Sequence, residues 1–219
     1  MNKQSNIKNI LVKLKGTKEE ELLKQVETSF EHIEKEQKEW YEKSGFLCVD
    51  GCGECCRNFE PDLLECEALY MAAWIIENQP EVANNLINGK FPYPRNKGCQ
   101  FWDENGTYHC SIYKGRAFIC RLFGACGSKG KTGEILFKPC KFYPEEKLRS
   151  FRIPLAHRQY CTEEIKEIFG VLPPLMSDLM ESALSFSPNN SETYLIRDIL
   201  PSAIRKLFWI IKMNNDVEI

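Results

Sequence analysis

An apolar stripe at helical spacing marks the first long segment of the chain. Thr17 followed by Glu20 has the pattern of a helix-capping box, and Gly45 stands where a helix would end. These signals predict one helix from about Thr17 to Lys43. Its stripe, in which Gln37 is the one polar residue, consists of Leu23, Val26, Phe30, Ile33, Gln37 and Trp40. Because the stripe spans fewer than four heptads, it favours packing against the rest of the chain over a dimeric coiled coil. A protein partner on this helix is the alternative.

Helical patterns return on both sides of a long irregular stretch. Before it, they predict helices from Pro61 to Asn78 and over residues 80–90, the second ended by Gly89. After it, three more helices are predicted: Thr162 to Phe169, Pro173 to Leu184, and Glu192 to Met213 with a kink at Pro201.

Residues 91–154 lose this periodicity and are rich in glycine, proline and aromatic residues. A loop-rich stretch of this length needs an organiser other than an apolar core, and bound metal is the simplest one. The sequence therefore predicts a mainly α protein, with helices around a small irregular cysteine-rich metal-bound centre and room for one short β-hairpin. It divides the chain into an N-terminal helical extension (1–45), a cysteine-cluster metal-binding domain (46–161) and C-terminal helices packed on it (162–219).

Composition and charge change this picture little. Of the 219 residues, 43% are hydrophobic and 27% are charged, which excludes a wholly disordered chain. The net charge of −2 points to neither a nucleic acid partner nor a membrane partner. Basic residues are concentrated over residues 95–158, between two acidic stretches. There Arg116 and Arg121 are expected to offset the negative charge of metal-bound thiolates; a solvated basic face is the other interpretation.

The eleven cysteines are the most informative feature of the composition. No signal segment precedes them, and the longest wholly apolar run, Met71 to Ile76, is far shorter than the ~20 residues of a membrane span. A cytoplasmic protein is therefore expected, in a reducing compartment that keeps thiols free. An odd number of cysteines also fits a complete set of disulfides poorly. Dense cysteines at short spacing then indicate metal binding.

The first cluster places four cysteines within nine residues, at Cys48, Cys52, Cys55 and Cys56. Gly51 and Gly53 lie between them and allow the positive φ angles and close backbone approach that let several sulfur atoms converge on one ion. The cluster therefore predicts a metal site.

Further candidate ligands follow at longer spacing: Cys99, Cys110, Cys120 and Cys126, with Cys140 and Cys161 as additional candidates. A turn over residues 103–106 separates two short extended pieces and predicts a hairpin that brings Cys99 and Cys110 near each other. His109, beside Cys110, is a candidate ligand or supporting residue. Cys66 lies among apolar residues of the second predicted helix and is expected to be buried and inert.

The order of these cysteines carries a family resemblance. The chain reads C-x3-C-G-x-C-C, then C-Q-F, then C-S-I-Y-K-G-R, then C-R-L-F-x-x-C, between Cys48 and Cys140. This pattern resembles the YkgJ-like cysteine-cluster (CxxCxxCC) family, a zinc- or iron-chelating domain. Two positions depart from the usual form of the family: the first gap, after Cys48, is one residue longer, and Ala117 replaces a proline. The resemblance implies a cytoplasmic metal-binding protein. It also implies an alternative function, that of an enzyme, because some related proteins are flagellin lysine methylases.

The residues leave both the metal and the class of function open. Zinc and an iron–sulfur cluster both accept four thiolates, and eight or more sulfurs suffice for two zinc ions or for a cluster and one zinc. Zinc is slightly favoured, because structural zinc commonly stabilises loop-rich segments. The chain has no glycine-rich nucleotide loop, P-loop or HExxH motif. The first hypothesis is therefore a structural, chelating or interaction module; the alternative is a metal- or Fe–S-dependent enzyme, such as an S-adenosylmethionine-dependent methyltransferase.

Overall fold

The computed structural model describes residues 5–48, 51–186 and 192–215, and over these ranges the protein is mainly α-helical, as predicted. No helix in these ranges is both long and apolar enough to span a bilayer. The helices are α1 (Lys8–Lys13), α2 (Lys18–Ser44), α3 (Glu54–Arg57), α4 (Glu65–Asn78), α5 (Pro80–Ile87), α6 (Phe118–Leu122), α7 (Glu145–Arg149), α8 (Thr162–Phe169), α9 (Met176–Leu184) and α10 (Ile196–Asn215).

Two short antiparallel strand pairs occur in the same ranges. The strands are β1 (Asp62–Leu63), β2 (Ser128–Lys129), β3 (Ile135–Leu136) and β4 (Tyr194–Leu195). β2 and β3 form a hairpin, whereas β1 pairs with the distant β4. The β2–β3 hairpin follows the second cysteine box (residues 99–126), so it is not the hairpin predicted around residues 103–106. Within that box, a single antiparallel bridge joins Trp102 to Cys110.

Helix α2 confirms the first prediction at both ends. The Thr17 hydroxyl accepts a hydrogen bond from the Glu20 backbone N–H at 3.2 Å, and Gly45 ends the helix in the left-handed conformation at φ +69°. Every residue of the predicted stripe is buried, including Gln37. The chain's own core therefore covers the apolar face of α2. That a protein partner binds this helix stays a prediction, and the buried stripe offers no surface for it.

Three predicted helix starts are wrong because backbone pairing takes over. The helix predicted from Glu192 begins at Ile196, because Tyr194 and Leu195 form β4 and pair with β1. The segment after Pro61 forms β1 instead of helix, and the Pro61 carbonyl accepts a hydrogen bond from the Ile196 N–H at 3.2 Å. The segment from Pro173 likewise stays extended as far as α9. There Gly127 donates to the Pro174 carbonyl at 2.9 Å and accepts from the Met176 N–H at 3.1 Å. Such long-range pairing leaves no trace in local periodicity.

Two clusters of buried side chains hold the elements together. The main core packs α2, α4 and α10 and includes side chains from all three parts of the chain, such as Phe30, Phe118 and Leu207. The second core is largely aromatic and contains Trp40 and Phe137, whose ring centroids are 5.6 Å apart. Helix α2 therefore contributes to both cores. The division of the chain into three parts stays a prediction. The main core contains side chains from all three parts, which therefore pack together.

Candidate metal centre

Left-handed glycines shape the first cysteine box (residues 48–56). Gly51, at φ +67°, and Gly53, at φ +57°, lead the chain into α3. A Cβ on Gly51 would lie 2.8 Å from the Thr107 carbonyl oxygen, and one on Gly53 would lie 2.4 Å from the Cβ of His109. Both glycines therefore allow the first box to pack directly against the turn of the second box, which a larger residue would prevent.

Backbone contacts fold the second box onto the first. The Cys99 N–H donates a hydrogen bond to the Cys56 carbonyl at 3.2 Å, next to Gly98 with φ +82°. The Trp102–Cys110 bridge then returns the chain toward the same place. As a result, Cys56, Cys99 and Cys110 line the same cavity.

One cavity of about 310 Å³ collects most of the candidate ligands. Aromatic side chains, among them Tyr41, Phe59 and Phe142, form much of the remaining wall. Eight cysteines from well-separated stretches of the chain line it: Cys48, Cys52, Cys55, Cys56, Cys99, Cys110, Cys120 and Cys140.

Three cysteines are not part of the cavity wall. Cys126 is half-buried and packs against the main core, with its thiol beside the Gln37 side chain. Cys161 is exposed at the start of α8, where its backbone N–H donates to Glu164 at 3.0 Å. Cys66 is buried on α4, as expected. Ligand roles for Cys126 and Cys161 therefore stay predictions, without a place in this cavity.

The sulfur atoms surround the cavity without closing on one point. In the part of the chain that the structure describes, no three His, Cys, Asp or Glu side chains stand close enough together to hold an ion. The Sγ atoms of Cys55 and Cys56 are 3.7 Å apart, near the ~3.8 Å edge of a zinc–sulfur tetrahedron with bonds of about 2.3 Å. Eight thiols around one cavity are the donor set that zinc or iron takes. The kinds of residue present thus fit such a metal.

The segment that carries these cysteines also matches a known family. Residues 47–148 match the family model CxxCxxCC, whose description reads "Putative zinc- or iron-chelating domain". This segment is a CxxCxxCC domain. It contains all eight cavity cysteines, and Cys161 lies outside it. No curated protein and no solved structure matches the chain.

Burial favours the protonated form of the innermost thiols of the CxxCxxCC domain. It raises the pKa of Cys99 to about 12 and raises the pKa of Cys120 well above its ordinary value, where the nearby Cys99 and Cys110 charges add to the effect. Metal ligation requires thiolates. Cys99 and Cys120 would therefore have to lose their protons to hold a metal ion, and the positive charge of the ion would favour their ionised form.

Arg116 supplies positive charge at the cavity wall, as the charge pattern predicts. Its guanidinium lies 3.8 Å from the ring centroid of Tyr113, and its Nη1 donates to the Tyr113 carbonyl at 2.7 Å. Burial raises the pKa of both Cys110 and Cys120, and the Arg116 charge acts in the opposite direction on both thiols. Arg116 thus favours thiolates at this wall of the cavity.

Arg121 ties the CxxCxxCC domain to α2. Its side chain is only 3% exposed, and burial lowers its pKa to about 10, which leaves it charged at neutral pH. Nη1 donates to Glu34 at 2.8 Å, Nε to the Arg116 carbonyl at 3.1 Å and Nη2 to the Lys114 carbonyl at 2.6 Å. The guanidinium also lies 3.9 Å from the ring centroid of Phe30. One side chain therefore fixes the loop before α6 and joins it to the N-terminal helix.

The buried carboxylate of Glu67 holds two helix starts together. It accepts hydrogen bonds from the Leu64 N–H at 2.8 Å and from the Phe118 N–H at 2.7 Å. Burial raises its pKa to about 7, and the two backbone donors act in the opposite direction. Because Phe118 begins α6, Glu67 positions the helix that carries Cys120 against α4.

Sequence reasoning missed the positioning roles of two residues. Gln37 donates a hydrogen bond to the Arg121 carbonyl, and its signal was the single polar residue in an apolar stripe. Glu67 has the third helical position of α4, where a carboxylate often caps the helix start. That signal was hidden because the helix was predicted to begin at Pro61.

Proposed function

We propose that this protein binds zinc or iron through its cavity cysteines and that the bound metal organises the loop-rich centre of the chain. The convergence of eight thiols from separate stretches on one cavity carries this proposal. The expectation that residues 91–154 lack an apolar core is wrong, because Phe118 packs in the main core and Phe137 in the second core. Bound metal would therefore add crosslinks among these stretches to the apolar contacts that they already make.

In this proposal the domain is a structural or chelating module, with zinc ahead of an iron–sulfur cluster. Four protein thiolates complete the coordination of a structural zinc ion, and the cavity offers more than four. Such ligands must stay reduced, so we also place the protein in the cytoplasm.

Metal analysis of variants tests the proposal. We expect the wild-type protein, purified without oxygen, to contain zinc or iron, and Cys52→Ser and Cys120→Ser each to lose at least half of it. Cys66→Ala is the control and is expected to keep its metal, because Cys66 is buried away from the cavity. A wild-type protein without metal, or an equal loss in the control, would contradict the proposal.

The size of the cavity favours one second candidate, a metal- or Fe–S-dependent enzyme such as an S-adenosylmethionine-dependent methyltransferase. About 310 Å³ is near the lower end of small-molecule sites, and its wall includes the half-exposed stacked pair Tyr108 and Tyr113, with ring centroids 4.6 Å apart. The absorption spectrum separates the two candidates. Colourless zinc protein supports the structural module, whereas brown protein with iron and sulfide supports the enzyme.

A further inference from the structure

Exposed apolar side chains gather around the cavity. In the part of the chain that the structure describes, ten large apolar side chains are exposed, and four of them line this one cavity. We call these four the rim: Leu47, Tyr108, Tyr113 and Phe123. Isolated exposed apolar residues are common on protein surfaces, whereas a group of them around one opening marks a binding site.

Aromatic packing holds the rim in place. The rings of Tyr108 and Tyr113 stack with centroids 4.6 Å apart, and the Arg116 guanidinium lies 3.8 Å from the ring centroid of Tyr113. Phe123 packs edge-on against Phe59, another residue of the cavity wall, with ring centroids 5.2 Å apart. Because these rings already pack against fixed neighbours, a planar ligand that stacks on them would cost little further side-chain entropy.

Positive charge borders the rim. Arg116 is part of the cavity wall, and its Nη1 donates to the Tyr113 backbone carbonyl at 2.7 Å. A guanidinium has several N–H groups, so this bond leaves others to pair with an oxyanion. Lys141 is the neighbour of the wall residue Phe142, and its Nζ lies 4.8 Å from the centroid of that ring.

The carboxylates nearest to this part of α2 have cations of their own. A groove along α2 adjoins the cavity and shares part of its wall. The acidic side chains in the groove are Glu34, which pairs with Arg121 at 2.8 Å, and Glu42, which pairs with Lys38 at 3.7 Å. The charge left over where the groove meets the rim is therefore positive.

Aromatic rings beside a fixed cation suit a ligand that joins a flat apolar body to a negative charge. The cavity volume of about 310 Å³ is that of a site for a small molecule. We propose that the rim binds a small aromatic anion, a planar ring system that carries a carboxylate, sulfonate or phosphate group. Its ring stacks on Tyr108, and its anionic group pairs with Arg116. This site goes beyond metal binding and does not require it.

Fluorescence titration of the full-length protein, purified with its metal, tests the proposal. The probe is anilinonaphthalene sulfonate, an aromatic anion whose emission rises in an apolar site. Phenylnaphthylamine has the same rings without the charge and is the neutral comparison. Wild type is expected to bind the sulfonate at a single site, about tenfold or more tightly than the neutral probe, because only the sulfonate pairs with Arg116.

Variants separate the stacking contact from the charge. Tyr108→Ala is expected to weaken sulfonate binding about five- to tenfold, whereas Tyr108→Phe keeps the ring and should bind as wild type does. Arg116→Gln should weaken the sulfonate about tenfold or more and change the neutral probe less than about twofold. Trp209→Ala is the control and should bind as wild type does, because this exposed side chain of α10 lies outside the cavity wall.

The outcomes separate this inference from the proposed function. Equal affinity of wild type for the two probes overturns the anionic ligand, even if Tyr108→Ala fails to fold by far-UV circular dichroism. No sulfonate binding, or an equal loss in Trp209→Ala and Tyr108→Ala, overturns the rim as a site. A loss in Tyr108→Phe as large as in Tyr108→Ala overturns stacking. Wild type that binds the sulfonate but contains no metal supports this inference and contradicts the proposed function.

Discussion

Replacing Arg121 with alanine is expected to lower the free energy of unfolding by about 3–5 kcal/mol. The change removes the donors that satisfy the Lys114 and Arg116 carbonyls and leaves a void beside Phe30. Urea unfolding followed by far-UV circular dichroism measures the effect. Arg121→Lys is expected to lose most of this stability as well, because an ammonium group cannot reproduce the planar fork of a guanidinium.

A matched surface variant provides the control. Arg149 forms an ion pair with Glu145 one helical turn away, at 2.8 Å, and both side chains are exposed. Arg149→Ala should therefore change the free energy of unfolding by no more than about 0.5 kcal/mol. If Arg121→Ala and Arg149→Ala unfold at the same urea concentration, Arg121 does not join the domain to α2 as described.

Replacing Gly98 with alanine is expected to separate the two cysteine boxes. Gly98 has φ +82°, and an added Cβ would lie 2.3 Å from the Arg57 carbonyl oxygen and 3.1 Å from the Cys56 carbonyl oxygen. Neither backbone atom can move without disturbing the hydrogen bond from the Cys99 N–H to Cys56. We expect a loss of about 1–2 kcal/mol from the left-handed backbone and about 1–3 kcal/mol more from the collision, together with a lower metal content.

Gly133→Ala is the control that shows the cost of backbone strain without a collision. Gly133 has φ +88°, but no atom lies within 4 Å of an added Cβ. This variant should lose only the backbone contribution and keep its metal. Equal stability and equal metal content in the Gly98 and Gly133 variants would mean that close contact at Gly98 does not hold the boxes together.

Helices whose ends carry local signals could be predicted from the sequence. Thr17 and Gly45 bound α2, and Gly170 ends α8, which has the predicted bounds. Their capping groups lie within a few residues of the helix end, so a short window contains the whole cause.

Elements fixed by distant partners could not be predicted in this way. β1 replaces the predicted first turn of a helix because Asp62 pairs with Leu195, far along the chain. The start of α9 is delayed for a similar reason, since Gly127 hydrogen-bonds Pro174, before the helix, and Met176, its first residue. Periodicity reports which face of a segment is apolar but not which segment lies beside it.

The candidate ligands show the same limit. Spacing and glycines predict that cysteines bind metal, but Cys126 and Cys161 have the same chemistry as Cys120 and Cys140. Only the fold separates them: Cys120 and Cys140 line the cavity, whereas Cys126 packs against the main core outside the cavity wall and Cys161 is exposed at the start of α8.

We expect cysteine sulfurs of the CxxCxxCC domain to bind the metal. X-ray absorption at the edge of the metal retained by protein purified without oxygen tests it most directly, because the spectrum gives the type and distance of the ligand atoms. We predict a shell of sulfur alone, about four atoms per zinc at about 2.3 Å. A shell dominated by nitrogen or oxygen at about 2.0–2.1 Å would contradict it.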